Sequence, residues 1–292
     1  MQHGSTGVWF FTEGMAVARA AEFAQRVESL GYTHLWLPET TGRDPFAHIA
    51  WLAARTERLA FATGIANIYH RHPGAMHQAA LTLAEQTGGR FLLGLGVSHA
   101  PLVAGLRKLE YKSPVKTMRE YLAAMDASPY SGPKPAERPR TVLAALGPKM
   151  LALAAEQTDG AHPYWTTPEH THEARAILGP GKLLCVEQKV VLETDAARAR
   201  AAGRAALRIY AALPNYRNNW LRMGYGEDDL AGAGSDRLID GLVAWGDAKA
   251  IRERLQAHRD AGATHVCIQP LKAEGRPGEA DLRALEELAP SR

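Results

Sequence analysis

Eight strand-length apolar runs alternate with segments of helical periodicity along this 292-residue chain, and that alternation limits the fold more than any other feature. The runs are 7–11, 34–37, 59–65, 91–95, 141–146, 160–164, 183–192 and 265–268. Helical spacing fills 15–30, 44–56, 73–87, 113–127, 147–157, 168–178, 247–261 and 279–288. Asp44-Pro45 and Ser113-Pro114 each pair an N-cap residue with a first-turn proline. Residues 128–139 are rich in proline and glycine and read as a loop or a small hairpin. Residues 195–245 carry only helical periodicity and loops, so they read as an insertion between the seventh and eighth strands. Strands that alternate with helices form a parallel sheet, and eight of them favour a closed (β/α)8 barrel over an open doubly wound sheet. The Gly-x-Gly-x-x-Gly turn of the open alternative is missing.

Internal similarity supports closure. The stretch from Leu30 through Gly31, Tyr32, Thr33 and His34 to Leu37 resembles the stretch from Ala261 through Gly262, Ala263, Thr264 and His265 to Ile268. Both are a helix stop that leads into a strand. Ala84-Glu85-Gln86-Thr87-Gly88-Gly89 likewise resembles Ala155-Glu156-Gln157-Thr158-Asp159-Gly160. The whole chain, 1–292, is expected to form one α/β domain.

Composition excludes several classes. A formal charge of +3 without a run of Lys and Arg argues against nucleic acid as a partner. No stretch approaches the ~18 apolar residues of a membrane span, and the first twelve residues lack the pattern of a signal peptide. The chain therefore reads as cytosolic, with Cys185 and Cys267 as reduced core thiols.

In a parallel barrel the strand C-termini converge on one site. That places Phe11, Glu13, Glu39, Thr40, Gly64, Ile65, Ala66, Asn67, Gly96, Val97, Ser98 and His99 together, with Ala145, Leu146, Gly147, Pro148, Lys149, residues 162–165 and Gln269. The set is poor in charge and rich in glycine, apolar and aromatic residues, so it describes a slot for a flat ligand rather than a hydrolytic centre. Gly147-Pro148-Lys149 offers helix N-terminal amides and a cation to a phosphate, or is a tight turn with a solvated lysine. Glu39 is a polar ring contact or a satisfied core carboxylate. His99 is a proton donor or an exposed neighbour of the pocket. Trp9, Phe11 and Trp165 are walls or ordinary core. His70, His72, His77, His170 and His172 lack metal-ligand spacing, and no metal is expected.

The segments Ala62-Thr63-Gly64-Ile65, Thr87-Gly88-Gly89-Arg90-Phe91 and Leu93-Gly94-Leu95-Gly96, with Pro73 between the first two, resemble the bacterial luciferase-like superfamily. More closely they are similar to its branch that depends on the deazaflavin coenzyme F420. The resemblance implies a TIM barrel with a helical insertion, and a flavin-type ring at the strand C-termini. It also implies a non-proline cis peptide at Gly64-Ile65 behind that ring. The phosphate would lie on the amides of Gly147 to Lys149 and on the loop after Gly96, the glycines of strand four letting the cofactor tail approach. Several deazaflavin enzymes of the branch carry a histidine one position after the strand-two acid, where this chain has Thr40, and some use a glutamate acid where the best match is His99. The implied activity is hydride transfer between F420 and a small organic substrate, with His99 as proton donor and Glu39 as ring contact or orienting group. The alternatives are an FMN-dependent monooxygenase and a flavin- or ligand-binding barrel without catalysis. The expected partner is a small-molecule substrate, with a homodimer left open.

Overall fold

Period-two alternation in the strands decides which side chains fill the barrel. In β1 (Ser5–Trp9) and the residue after it, Val8 and Phe10 pack outward against the helices while Trp9 points in. In β2 (His34–Leu37) the outward pair is Leu35 and Leu37 and the inward residue is Trp36. In β3 (Ala60–Thr63) Phe61 faces out and Ala62 faces in. The structure, a computed structural model, describes residues 4–274 and 279–290.

The strands that follow are β4 (Ala66–Asn67), β5 (Phe91–Gly96), β6 (Arg140–Leu143), β7 (Gly160–Ala161), β8 (Leu183–Leu192), β9 (Val243–Gly246) and β10 (His265–Pro270). All pair in parallel, in the order β10-β1-β2-β3-β5-β6-β7-β8, and β10 also pairs with β8, which closes the ring. The eight-stranded parallel barrel expected from the alternation is the one observed. The helix Val17–Ser29 shows how the outer layer is built, burying Ala20, Phe23, Ala24 and Val27 at helical spacing. Gly31 and Gly262, the matching helix stops, both take positive φ, +86° and +101°.

Two local expectations change, and one open alternative is decided. Ser113 occupies the N-cap of the helix Pro114–Asp126 but its side chain makes no capping hydrogen bond, whereas Asp44 accepts from the Ala47 amide at 2.9 Å. Residues 128–139 are loop throughout, not a hairpin. The insertion holds the helices Ala196–Ala211, Pro214–Arg222, Glu227–Leu230 and Asp236–Leu242, but it ends in a strand. That strand, β9, pairs with the upper half of β8, from Lys189 opposite Val243 to Leu192 opposite Gly246. Four residues are too short to show alternation, and only the overhang of the ten-residue β8 gives them a partner.

The third barrel strand is interrupted. Ala62 and Ala66 pair with Leu92 and Leu95, so four steps on one side face three on the other. This is a bulge, and it holds the cis peptide Gly64-Ile65. The Thr63 hydroxyl bridges the gap, accepting from the Gly94 amide and donating to the Gly94 carbonyl, both at 2.8 Å. A Cβ on Gly94 would lie 2.0 Å from the Thr63 carbonyl oxygen, and one on Gly96 would lie 2.5 Å from Ile65 Cδ1. The space these two glycines open is therefore filled by the bulge of the neighbouring strand, and not left for a cofactor tail.

Candidate active site

The strands end early, and the residues just past them line the site. Phe11, Glu39 and Thr40, Gly64 and Ile65, Gly96 to His99, and Ala144 to Leu146 surround a cavity of about 440 Å³ at the C-terminal mouth of the barrel. His162 and Tyr164 complete the barrel side. The far wall comes from the insertion, through Ile209, Tyr210, Leu213, Asn215 and Tyr216. A cleft of about 540 Å³ also opens near Gly88 and the 134–140 loop, at the strand N-termini, where barrels do not place their chemistry.

The bulge forms one edge of the cavity and is held from three sides. Trp9 Nε1 donates to the Gly64 carbonyl at 3.0 Å, and the Glu39 amide donates to the Ile65 carbonyl at 3.2 Å. A Cβ on Gly64 would lie 2.5 Å from Trp9 Nε1, so only glycine lets the indole approach. The Glu39 carboxylate accepts from the Asn67 amide at 2.8 Å and from Arg71 at 2.7–2.8 Å, and stands 3.2 Å from His70 Nδ1. Arg71 in turn pairs with Asp44. Glu39 is thus the anchor of the strand after the bulge, as well as the only Asp, Glu, Lys or Arg among the described residues of the cavity wall.

Two of the predicted strand-three residues, Ala66 and Asn67, are fully buried behind the wall. Asn67 supports the loop, its Oδ1 accepting from the Tyr69 amide at 3.0 Å. Thr40 lines the cavity and donates its hydroxyl to Glu13. Ser98 takes a φ of +54° in the loop that carries His99 toward the cavity. That loop continues into a π-helical turn, Pro101–Leu106, closed by the Arg107 amide on the Leu102 carbonyl. His99 is half-buried, and its Nδ1 has no protein partner. Burial pushes its pKa down and a hydrogen bond with Asn215 opposes that, so the ring is neutral at pH 7.

Gly147, Pro148 and Lys149 sit outside the cavity, at the N-terminus of the helix Pro148–Gln157. Arg222 of the insertion lies over this point. It donates to the Leu146 carbonyl at 2.8 Å, and its guanidinium is 3.5 Å from where a Gly147 Cβ would be. A guanidinium beside uncapped helix amides suits an anionic group.

Trp165, expected as a wall, lies behind it at 1% exposure, and Tyr164 takes its place. Behind the tyrosine is a fully buried ion pair, Lys189 Nζ to Glu187 Oε2 at 2.8 Å. The Lys189 ammonium lies 3.6 Å from the centre of the Tyr164 ring and 3.7 Å from that of Trp165. Burial pulls the Lys189 pKa down to about 8. The Tyr164 hydroxyl donates to Gln269 at 3.0 Å and contacts the Tyr210 hydroxyl at 3.1 Å. The histidines with no metal-like spacing are dispersed. His72 Nδ1 accepts from the Gly74 amide, His77 packs on Tyr130, and His170 Nε2 meets the Leu146 carbonyl.

Reading from the sequence missed every residue that the insertion contributes. Tyr210, Tyr216 and Arg222 have ordinary helical spacing, and nothing local shows which of them turns to the barrel mouth. His162 and Tyr164 stood at a strand end but had no motif to mark them.

Comparison with known proteins agrees with this architecture. A family model described as luciferase-like monooxygenase matches residues 2–265. A Mycobacterium tuberculosis protein named for coenzyme F420-dependent oxidoreductase activity is 28% identical, over 87% of this chain and 91% of its own. The F420-dependent tetrahydromethanopterin reductase of Methanopyrus kandleri superposes with a TM-score of 0.77 at 16% identity, covering 99% of this chain and 98% of that one. The oxygenating constituent of 3,6-diketocamphane monooxygenase of Pseudomonas putida, solved with FMN, superposes with a TM-score of 0.70 at 17% identity, covering 99% and 97%. The chain belongs to the luciferase-like monooxygenase family.

Proposed function

We propose that this protein is an oxidoreductase that transfers a hydride between coenzyme F420 and a small, neutral organic substrate. The observation that carries the reading is an apolar cavity whose one charged wall residue, Glu39, is already paired with Arg71. Such a cavity suits a flat ring with an uncharged substrate on its open face, and leaves no free cation to hold an anionic one. The residues fit the coenzyme at both ends. Gly64 and Ile65 of the bulge would hold the ring, with Trp9 and Phe11 beside it. Arg222 and the amides after Gly147 would hold a phosphate-bearing tail.

When bound, a deazaflavin supplies or accepts the hydride at its ring. The chain's own residues orient both partners and move the proton. His99 is neutral near pH 7, and the proton that the substrate gains or loses passes through one of its ring nitrogens, with Asn215 orienting the imidazole. Glu39 holds the ring's support in place through the Asn67 amide and does not itself donate. Tyr164, Tyr210 and Tyr216 close the substrate side and exclude water.

The FMN-dependent monooxygenase is the second reading, and the likeness to a monooxygenase constituent solved with FMN favours it. Titration separates the two. Quenching of F420 fluorescence at micromolar protein with no response to FMN supports the first, and tight FMN binding alone overturns it. Arg222→Ala is expected to weaken F420 binding about tenfold while leaving a phosphate-free deazaflavin unchanged. An equal loss for both ligands would remove Arg222 from the phosphate site.

A further inference from the structure

Residues that stack along the barrel axis end in one unsatisfied nitrogen. At the base, His265 Nδ1 pairs with the Ser5 hydroxyl at 2.8 Å. His265 Nε2 accepts from Trp36 Nε1 at 3.1 Å, which fixes the indole. The Trp36 ring stacks on His162 at 4.3 Å between centroids and 17° between planes. His162 Nδ1 lies 2.7 Å from the Cys185 carbonyl oxygen. A carbonyl only accepts, so Nδ1 carries the proton and Nε2 presents a lone pair.

That Nε2 has no protein partner, although His162 is only 2% exposed. It lies 3.5 Å from where a Gly64 Cβ would be, directly beneath the cavity lining that Gly64 and His162 share beside the bulge. A buried acceptor left unsatisfied is costly, and here the stack and the Cys185 carbonyl prevent the ring from turning away. Burial also holds the imidazole pKa down to about 4, so the acceptor form persists at neutral pH.

The geometry points to His162 Nε2 as a fixed hydrogen-bond acceptor on the cavity floor, which selects ligands that present an N–H or O–H to it. The inference rests on the proposed binding of a flavin-type ring. Two sources have this chemistry, the imide N–H of the ring and a hydroxyl of the substrate. His162 is a binding residue in this account, and no proton leaves it.

Two variants and one spectrum test the inference. In His162→Gln a side-chain oxygen stands near the place of Nε2, and in His162→Met no acceptor remains. Where the donor is the ring imide, binding of a deazaflavin by fluorescence quenching is expected to weaken about tenfold in the methionine variant and to recover in the glutamine variant; where it is a substrate hydroxyl, the same loss and recovery are expected in the binding of a small alcohol to the loaded protein. Long-range ¹H–¹⁵N spectra of histidine-labelled protein should show, beside the unprotonated Nε2 of His265, one for His162 that is absent from both variants and shifts when the donor arrives. If the ring is the source, a deazaflavin methylated at its imide nitrogen binds wild type about tenfold more weakly and binds the methionine variant as the parent ring does. If the substrate is the source, methylation changes nothing and the resonance shifts only when a small alcohol joins the loaded protein. Unchanged affinity in His162→Met together with an unshifted Nε2 in the presence of both ligands overturns the inference. Failure of wild type to bind either deazaflavin or FMN overturns the proposed function instead, and is seen without any variant.

Discussion

At Gly64 a single hydrogen atom separates a working wall from a blocked one. Its missing side chain lets Trp9 Nε1 reach the Gly64 carbonyl. Gly64→Ala is expected to push the indole aside, lowering stability by about 1–3 kcal/mol and weakening ring binding about tenfold. Urea denaturation and fluorescence titration read the two effects separately. In the proposed reaction, His99 is the residue that moves the proton. His99→Ala should lower kcat by about 100-fold with little change in cofactor affinity, and single-turnover kinetics on loaded protein would show it. Unchanged turnover removes His99 from the mechanism. Both positions were legible in the sequence, because a glycine at a strand end and a histidine in a glycine-flanked loop are local signals. His162 was placed among the strand ends, but what it does there was not legible, since that lies in Cys185, Trp36 and His265, which are distant in the chain.

The element that shapes the site is the interrupted third strand. Its register shift against β5 is maintained by Thr63 on one side and by Glu39, through the Asn67 amide, on the other. Glu39→Gln leaves Arg71, whose side chain is 15% exposed, facing one carboxylate instead of two. It is expected to cost about 3 kcal/mol in chemical denaturation, since a largely buried guanidinium loses its buried partner and keeps only the half-exposed Asp44 carboxylate. A loss under 1 kcal/mol would show that the Asp44 pair is sufficient. Gly94 and Gly96 illustrate how far an element can be read in advance. Their small size is visible in the sequence, and so is their place at a strand end. What fills the space beside them, Thr63 and Ile65, depends on a neighbouring strand's bulge and could not be read locally. The insertion shows the same limit, since its helices were evident but its closing strand β9 exists only because β8 overhangs the barrel.

Over the whole molecule, buried neutral imidazoles tie stability to pH. Burial lowers the pKa of His34 to about 3, of His48 and His162 to about 4, and of His258 to about 3. As pH falls below about 6.5 the unfolded chain takes up these protons before the folded one does, so stability is full above 6.5 and is lost from there toward pH 4. A group shifted like His162 loses about 2 kcal/mol between pH 7 and pH 5. The urea midpoint is therefore expected to fall steeply over that range, and a flat profile from pH 7 to 5 would contradict the buried neutral state of these rings. No helix among the described residues is long and apolar enough to cross a membrane. The eight strands of the barrel, the helix stops at Gly31 and Gly262, and the convergence of the strand ends were determined by the sequence, because each follows from spacing and residue type over a few neighbours. Tertiary structure alone decided that Arg222 lies over Gly147, that three tyrosines face the cavity, and that His162 Nε2 is left open. Those outcomes depend on contacts between residues tens to more than a hundred positions apart in the chain, and no local pattern records which of them will meet.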